Sequence, residues 1–295
     1  MKIPVKTLKS GFSLPVYGLG TWQMGGRYEA DYTNDDVEIS AIKAAIDYGV
    51  THIDTAAIYG NGHAEELIGL AIKDYAREKI IIATKVIAGE EDYSGILKSC
   101  EESLERLRVD YIDLYMLHRA PRPGVNISES MKALDQLVSQ GMVRNIGVCN
   151  FTVNRFKKAQ KYTQNKLVCN QVHYSLEVRE IQHQGILKYC QDNDIFVVAW
   201  GPLSKGSLTT TAPILIEIAK KYQKTPYQVA LNWLITQPSV VTIPKTTHVE
   251  HLEENLSTLG WELSAEDIEK LTKEFPNQKK VSDRVPLNYP SDIEP

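Results

Sequence analysis

The sequence predicts an α/β fold of the (β/α)8, or TIM, barrel class, with a short N-terminal hairpin closing the bottom. Three observations lead there. Short apolar strand candidates alternate with amphipathic helical stretches along almost the whole chain. Eight such segments occur, at Val16–Trp22, Thr51–Ala56, Ile80–Val86, Tyr111–His118, Val143–Asn150, Leu167–Tyr174, Ile195–Trp200 and Val240–Lys245. Several are continuously apolar, as in Ile80–Ile82 and Ile195–Val198, which is the pattern of parallel strands covered on both faces. Eight strand–helix units close most naturally as a barrel.

Each element has a local signature. Lys2 to Pro15 alternate loosely around the turn dipeptide Ser10-Gly11 and read as the hairpin. Thr33 and Asp36 have capping-box spacing before a face of Ile39, Ile42 and Ile46. Ile96, Cys100, Leu104 and Leu107 repeat at helical spacing, and Met131, Leu134, Leu137 and Val138 form another stripe closed by Gly141. Thr225-Pro226 is an N-cap and first-turn pair leading to Val229, Ala230, Trp233 and Leu234. Ser264 and Asp267 repeat the box for a last helix. Residues 276–295, with Arg284, Leu287 and Tyr289, are irregular. A chain of 295 residues is within the reach of one α/β barrel, so a single domain over 1–295 is expected.

With 43% hydrophobic and 24% charged residues, a formal charge of -4 and a pI near 6.0, composition favours a small-molecule client over nucleic acid or an anionic membrane. The four cysteines, Cys100, Cys149, Cys169 and Cys190, form no CxxC pair, and MKIPVKTLKSG carries no apolar signal segment. A reduced, cytoplasmic protein is expected. No apolar run is long enough to span a bilayer. The dinucleotide fingerprint of doubly wound folds is missing. Gly18 and Gly20 are followed by Gln23 where the third glycine belongs, and Gly60 and Gly62 by Glu65. There is no Walker sequence or HExxH helix, and no metal is expected.

In such a barrel the C-terminal strand ends build the active site. Asp54 ends the second strand with Tyr59 in its loop, Lys85 ends the third and His118 the fourth. Singly, each has an ordinary reading: a helix cap, a cover for apolar surface, a snorkelling lysine, a hydrogen-bonded core histidine. Recurrence at successive strand ends favours chemistry. An ammonium beside a phenol pulls its pKa down from near ~10, and a carboxylate keeps that ammonium charged. Tyr59 would then exchange a proton with a carbonyl oxygen while hydride reaches carbon, with His118 bonded to the same oxygen. Spacing leaves either Tyr59 or His118 as the donor.

GLGTWQ, HIDTAAIYGN, ATKV, VDYIDLYMLHR, IGVCNF, NQVHYS, AWGPLSKG and IPKTTHVEHLEEN stand in the order and spacing of the aldo-keto reductase superfamily, which the chain resembles from Val16 to Asn255. The resemblance implies a barrel oxidoreductase reducing aldehydes or ketones with NADPH, and small aldehydes, aldoses or 2-oxoaldehydes as substrates. It places the catalytic tetrad on Asp54, Tyr59, Lys85 and His118, with Tyr59 as general acid. It sets the nicotinamide carboxamide against Asn150 and Gln171 and its ring against Trp200. Leu203, Ser204 and Gly206 match the pyrophosphate stretch, Lys245 and Thr246 the residues reaching the 2′-phosphate, and Glu254 and Asn255 those holding the adenine, with Gly201, Pro202, Ile243, Pro244, Thr247 and His251 counted in the coenzyme set. Gly20, Thr21 and Trp22 complete the coenzyme set, with Asp54 counted in it. Substrate contacts fall on Trp22, Tyr59, His118 and Arg119. The 276–295 stretch matches a tail that crosses the mouth. A monomer or weak homo-oligomer is expected.

Three departures bear on specificity. Where NADP-using members commonly carry an arginine six residues after Lys245, this chain has His251, so NADPH is preferred with NADH a weaker alternative. The loop MGGRYEADYTNDD after Trp22 is long; Gly25 and Gly26 suggest flexibility, and Arg27, Tyr28 and Tyr32 reach for the mouth. Arg119 and Arg122 favour anionic or polyhydroxylated carbonyls. Two rival readings remain: a Schiff-base aldolase using Lys85, and a coenzyme-binding sensor with little turnover.

Overall fold

In a computed structural model the described residues are 2–287, apart from 88, 123, 207 and 209. Strands β1 (Val5–Thr7) and β2 (Ser13–Pro15) pair antiparallel as a hairpin. Eight further strands follow: β3 (Leu19–Gly20), β4 (His52–Asp54), β5 (Ile81–Lys85), β6 (Ile112–Leu117), β7 (Val143–Cys149), β8 (Leu167–His173), β9 (Phe196–Trp200) and β10 (Val240–Thr242). Each is parallel to its neighbour in chain order. The sheet curls until its edges meet. Tyr17, just ahead of β3, bridges Thr242 in parallel, with Gly18 N donating to Thr242 O at 2.8 Å and Thr242 N to Val16 O at 3.0 Å. Every strand therefore has two neighbours, as a closed barrel requires.

Helices fill the crossovers: α1 (Asp35–Asp47), α2 (His63–Ile72), α3 (Tyr93–Leu107), α4 (Ile127–Ser139), α5 (Val153–Lys161), α6 (Glu180–His183), α7 (Ile186–Asp192), α8 (Pro213–Tyr222), α9 (Pro226–Ile235), α10 (Val249–Leu256) and α11 (Ala265–Glu274). Their ends follow the sequence cues closely. Thr225 and Gln228 form a complete capping box on α9, and the Ser264 hydroxyl accepts from Asp267 N on α11. The box expected at Thr33 and Asp36 does not form. Thr33 gives its hydroxyl to Asp31 Oδ1 at 2.5 Å, and α1 starts after Asn34 without a side-chain cap. Asn34 rather than Thr33 takes the cap position, and Asp31 draws the Thr33 amide and hydroxyl back into a turn of the preceding loop.

Two apolar layers result. Ile42, Leu67, Ile96, Leu134, Phe156, Leu215 and Trp233 pack the helices onto the outer face of the sheet. Inside, Ala83, Leu114, Met116, Cys169, Val198 and Val241 fill the barrel, alternating with outward residues as the pleat dictates. The hairpin stops the lower end: Leu8 and Leu14 join the interior cluster, and Phe12 meets Phe196 edge-on at 6.0 Å. Lys6 locks it there, its ammonium donating to the carbonyls of Ile235, Gln237 and Val240 at 2.6–2.7 Å. These carbonyls lie at and just beyond the C-terminus of α9, where cations are favoured.

The tail is held rather than loose as far as it is described. Leu287 N donates to Glu180 Oε1 at 3.1 Å and Ser282 N to Glu180 Oε2 at 2.8 Å. Tyr289 lies outside the described residues. No helix among the described residues is long and apolar enough to cross a membrane.

Leu14 is fully buried in the lower stopper. Leu14→Ala should lower the unfolding free energy by about 2–5 kcal/mol, read from urea denaturation; a midpoint equal to the parent's would show that the hairpin does not seal the interior.

Candidate active site

β4 and β5 run side by side with Asp54 opposite Ala83, so Lys85 lies two residues further along β5 on the same face and its long side chain meets Asp54 at the C-terminal end of the barrel. Asp54 is 2% exposed and Lys85 not at all. Lys85 Nζ donates to Asp54 Oδ1 at 2.8 Å and to Thr55 O at 2.5 Å. From the other side Gln171 Nε2 donates to Asp54 Oδ2 at 2.7 Å. Both carboxylate oxygens are thus engaged, which is what a buried ion pair needs to offset desolvation. Burial alone would drive Lys85 towards the free amine, but Asp54 and Tyr59 outweigh it and hold the ammonium well above its ordinary value.

Tyr59 opens a tight turn after β4 and is half-buried. Its ring centroid lies 5.3 Å from Lys85 Nζ, 5.8 Å from the His118 ring and 4.8 Å from Trp22. The sequence led to the expectation that Lys85 would depress the phenol. Lys85 does pull the phenol down, but the net shift runs the other way: burial pushes Tyr59 up to about 12, Lys85 opposes this only in part, and the Asp54 carboxylate adds to the rise. The phenol therefore keeps its proton at neutral pH. His118, just beyond β6, is pushed well below its ordinary value by burial and then by Lys85 and Arg119, so its imidazole is neutral. The four side chains taken from the strand ends converge as one group: a fixed cation, its counter-ion, a protonated phenol and an uncharged imidazole.

The expected coenzyme residues line the same end. Asn150 follows β7 with φ 59°, a left-handed conformation asparagine tolerates. Its Oδ1 accepts from Trp200 Nε1 at 3.2 Å and its Nδ2 reaches His118 O at 3.5 Å. Trp200 has one face taken, stacked on His173 at 4.2 Å and 8°. A second ring must use the opposite face. Beyond β9, Gly201 and Ser204 border a shallow crevice with His173, Glu177, Lys279 and Arg284. Ser204 Oγ donates to Glu177 Oε2 at 2.5 Å, and His173 Nδ1 shares a hydrogen bond with Ser282 Oγ at 2.8 Å, tying the tail to the rim. Lys245 is exposed at the foot of α10, whose cap residue His248 makes no side-chain bond to the first turn. A cation beside unused helix amides fits a phosphate. His251 sits on α10 against His248, ring centroids 5.3 Å apart. Arg119 is exposed beside His118, whereas Arg122 faces Asp92 at 3.6 Å.

Some neighbours of the site were not singled out from the sequence. His52, two residues before Asp54 on the same face, is fully buried with no partner for either ring nitrogen among the described residues, and burial pulls it down to about 4. The period-two spacing in His52-Ile53-Asp54 was its available signal. Cys149 ends β7 close enough to Lys85 to feel its charge, and burial pushes its thiol up to about 12. Gln171 binding Asp54 spans 117 residues, a separation no local pattern records.

Comparison with known proteins agrees with this architecture. The aldo/keto reductase family profile matches residues 17–274. A glyoxal reductase of Bacillus subtilis is 37% identical over 267 residues, covering 90% of each chain. A methylglyoxal reductase of Escherichia coli is 34% identical over 272 residues, covering 90% of this chain and 93% of that one. Among solved structures, the thermostable aldo-keto reductase Tm1743 bound to epalrestat superposes with a TM-score of 0.89 at 42% identity, over 92% of this chain and 99% of that chain. A Klebsiella pneumoniae aldo/keto reductase in complex with NADP and acetate gives 0.84 at 32% identity, over 97% and 99%. The family profile and these relatives mark the barrel as an oxidoreductase. The chain belongs to the aldo/keto reductase family.

Removing one partner of the buried pair strands the other's charge. Asp54→Leu should cost about 3–5 kcal/mol of stability, most of it restored in Asp54→Leu/Lys85→Met. Urea unfolding of both variants checks this, and equal losses would mean the two charges are not coupled.

Proposed function

We propose that the chain reduces small aldehydes and ketones with NADPH in preference to NADH, taking 2-oxoaldehydes such as glyoxal and methylglyoxal, and short aldoses, as its substrate class. The observation that carries this reading is the buried Lys85–Asp54 pair beneath a half-buried, protonated Tyr59 and a neutral His118. The names of the bacterial relatives and the nicotinamide nucleotides bound in related structures support it.

The donor sets fit the coenzyme's parts. Gln171 Oε1 and Asn150 Nδ2 suit a carboxamide, which needs one acceptor and one donor. The Trp200 face away from His173 suits the nicotinamide ring. Gly201, Pro202, Leu203, Ser204 and Gly206 would follow the pyrophosphate, with Gly20, Thr21, Trp22, Ile243 and Pro244 along the same rim. Lys245, Thr246 and Thr247 would take the 2′-phosphate, and His251, Glu254 and Asn255 the adenine. Bound there, the coenzyme supplies hydride to the carbonyl carbon.

The chain's own residues do the rest. Tyr59 gives its proton to the carbonyl oxygen as negative charge develops there. The Lys85 ammonium, kept charged by Asp54, stabilises the phenolate left behind. Neutral His118 donates a hydrogen bond to the same oxygen and fixes its direction. Trp22 and Arg119 border the substrate, the latter favouring an anionic or hydroxylated end. A Schiff-base aldolase is poorly served, because that nucleophile must be a free amine and Asp54 holds Lys85 protonated. Four unpaired thiols suit a reducing, cytoplasmic setting.

Oxidation of NADPH and of NADH with a panel of short aldehydes, 2-oxoaldehydes and aldoses tests the reading, run on the parent and on Tyr59→Phe. We expect NADPH turnover that falls by about 10²–10⁴-fold in the variant, with coenzyme binding retained. Undiminished turnover would move the acid role to His118. Binding without turnover on every carbonyl would favour a sensor, and equal affinities for the two coenzymes would sink the NADPH preference. Spectrophotometric titration of the coenzyme-free protein should show no Tyr59 phenolate until the pH approaches about 12.

A further inference from the structure

The turn that carries Tyr59 is built on residues that accept a left-handed backbone. Gly60, Asn61 and Gly62 follow it with φ of 55°, 53° and 94°, three left-handed residues in succession. The loop after Trp22 holds this turn from above. Gly60 N donates to Arg27 O at 3.1 Å, and a Cβ on Gly60 would lie 2.1 Å from Gly25 O, so the two backbones touch. The loop itself is folded tightly: Asp31 N donates to Gly25 O at 2.9 Å, Gly26 bridges Ala30, and Gly25 N donates to Glu38 Oε2 at 2.6 Å. Gly25 and Gly26, expected to loosen the loop, sit with φ of 67° and 103°. Both glycines serve close approach.

His63 begins α2 immediately after this left-handed turn and is 5% exposed. Its Nδ1 lies 2.7 Å from Glu66 Oε2 and its Nε2 2.9 Å from Asp35 Oδ1. Ionised carboxylates only accept, so both ring nitrogens must carry hydrogen and the ring is an imidazolium. Tyr32 of the loop covers it, ring centroids 4.2 Å apart, and a Cβ on Gly25 would lie 2.9 Å from His63 Cδ2. One charged ring thus ties α1, α2 and the mouth loop together, one turn from the proposed proton donor.

Building on the reductase reading above, we propose that His63 is a positioning residue: its imidazolium, clamped between Asp35 and Glu66 and covered by Tyr32, latches the loop after Trp22 onto the turn that aims Tyr59. The groups facing the ring from each element are Asp31 and Tyr32 of the loop, Asp35 and Glu38 of α1, and Glu66 of α2, with Lys245 beyond Glu38. Burial lowers the ring's affinity for its proton, but the bonds to Glu66 and Asp35 outweigh that and leave it above the ordinary value. The sign follows. The latch is complete below the usual histidine range near ~6.5 and is lost as pH rises through the raised folded value.

The test compares the parent with His63→Gln and, as a second break, Asp35→Asn. Hydrogen–deuterium exchange of segments 24–34 and 59–63, corrected for intrinsic rates, should be faster in both variants. In the parent it should accelerate as pH rises past the imidazolium's titration, followed by the NMR shift of His63. Turnover should drop in kcat by about 10-fold or more, with KM for NADPH little changed, and the alkaline decline of kcat should flatten in His63→Gln. Unchanged exchange and an unchanged pH profile in the variants would overturn the latch, as would parent exchange that ignores the His63 titration. The exchange arm needs no turnover, so an inactive parent would strike the reductase reading while the latch was still judged.

Discussion

The ion pair between Lys85 and Asp54 is the constraint around which the upper half of the barrel is arranged. Two charges with no access to water stay charged only if every neighbour cooperates, and here Thr55 supplies a carbonyl and Gln171 an amide to complete their bonding. Three strands are fixed relative to one another in the process: β4 through Asp54, β5 through Lys85 and β8 through Gln171. Their ends define the floor of the mouth. Tyr59 and His118 are then placed against a permanent positive charge, and burial decides that the phenol stays protonated and the imidazole uncharged.

That burial should dominate the phenol's ionisation was the physical step absent from the sequence. A lysine and a tyrosine brought near each other suggest a depressed pKa, and spacing cannot say how much solvent remains around them. The barrel itself was legible, because its cause is local: apolar runs such as Ile80–Ile82 and helix caps such as Thr225 with Gln228 state their roles within a few residues. The strand-end cluster was legible for the same reason, since strand order fixes which residues meet at the mouth. Contacts set by long loops were not. Thr33 looked like a helix cap and bonds Asp31 instead, and the close approach that Gly25 makes to Gly60 left no trace in local spacing.

The rim follows a similar logic of engaged groups. Trp200 is pinned by His173 on one face and by Asn150 at its ring nitrogen, and His173 is in turn tied to Ser282 of the tail. A coenzyme ring arriving at the mouth would meet a platform already oriented by stacking and hydrogen bonding, which limits the ordering cost of binding. The tail contributes to that platform from a distance in sequence of more than eighty residues.

The sulfur chemistry of the barrel carries a different consequence. Cys100, Cys149 and Cys190 are each buried with thiols pushed up to about 12, and burial likewise raises Cys169 well above its ordinary value. The thiolate is the form that adds to carbonyls. An electrophile entering this mouth meets an ammonium, an uncharged imidazole and a phenol, with the nearest sulfur held as S–H below them. A protein that handles small dicarbonyls is exposed to adduct formation at its own side chains. Here the interior withholds the most reactive of those nucleophiles, so the packing that stabilises the barrel also protects it from the compounds it is proposed to consume.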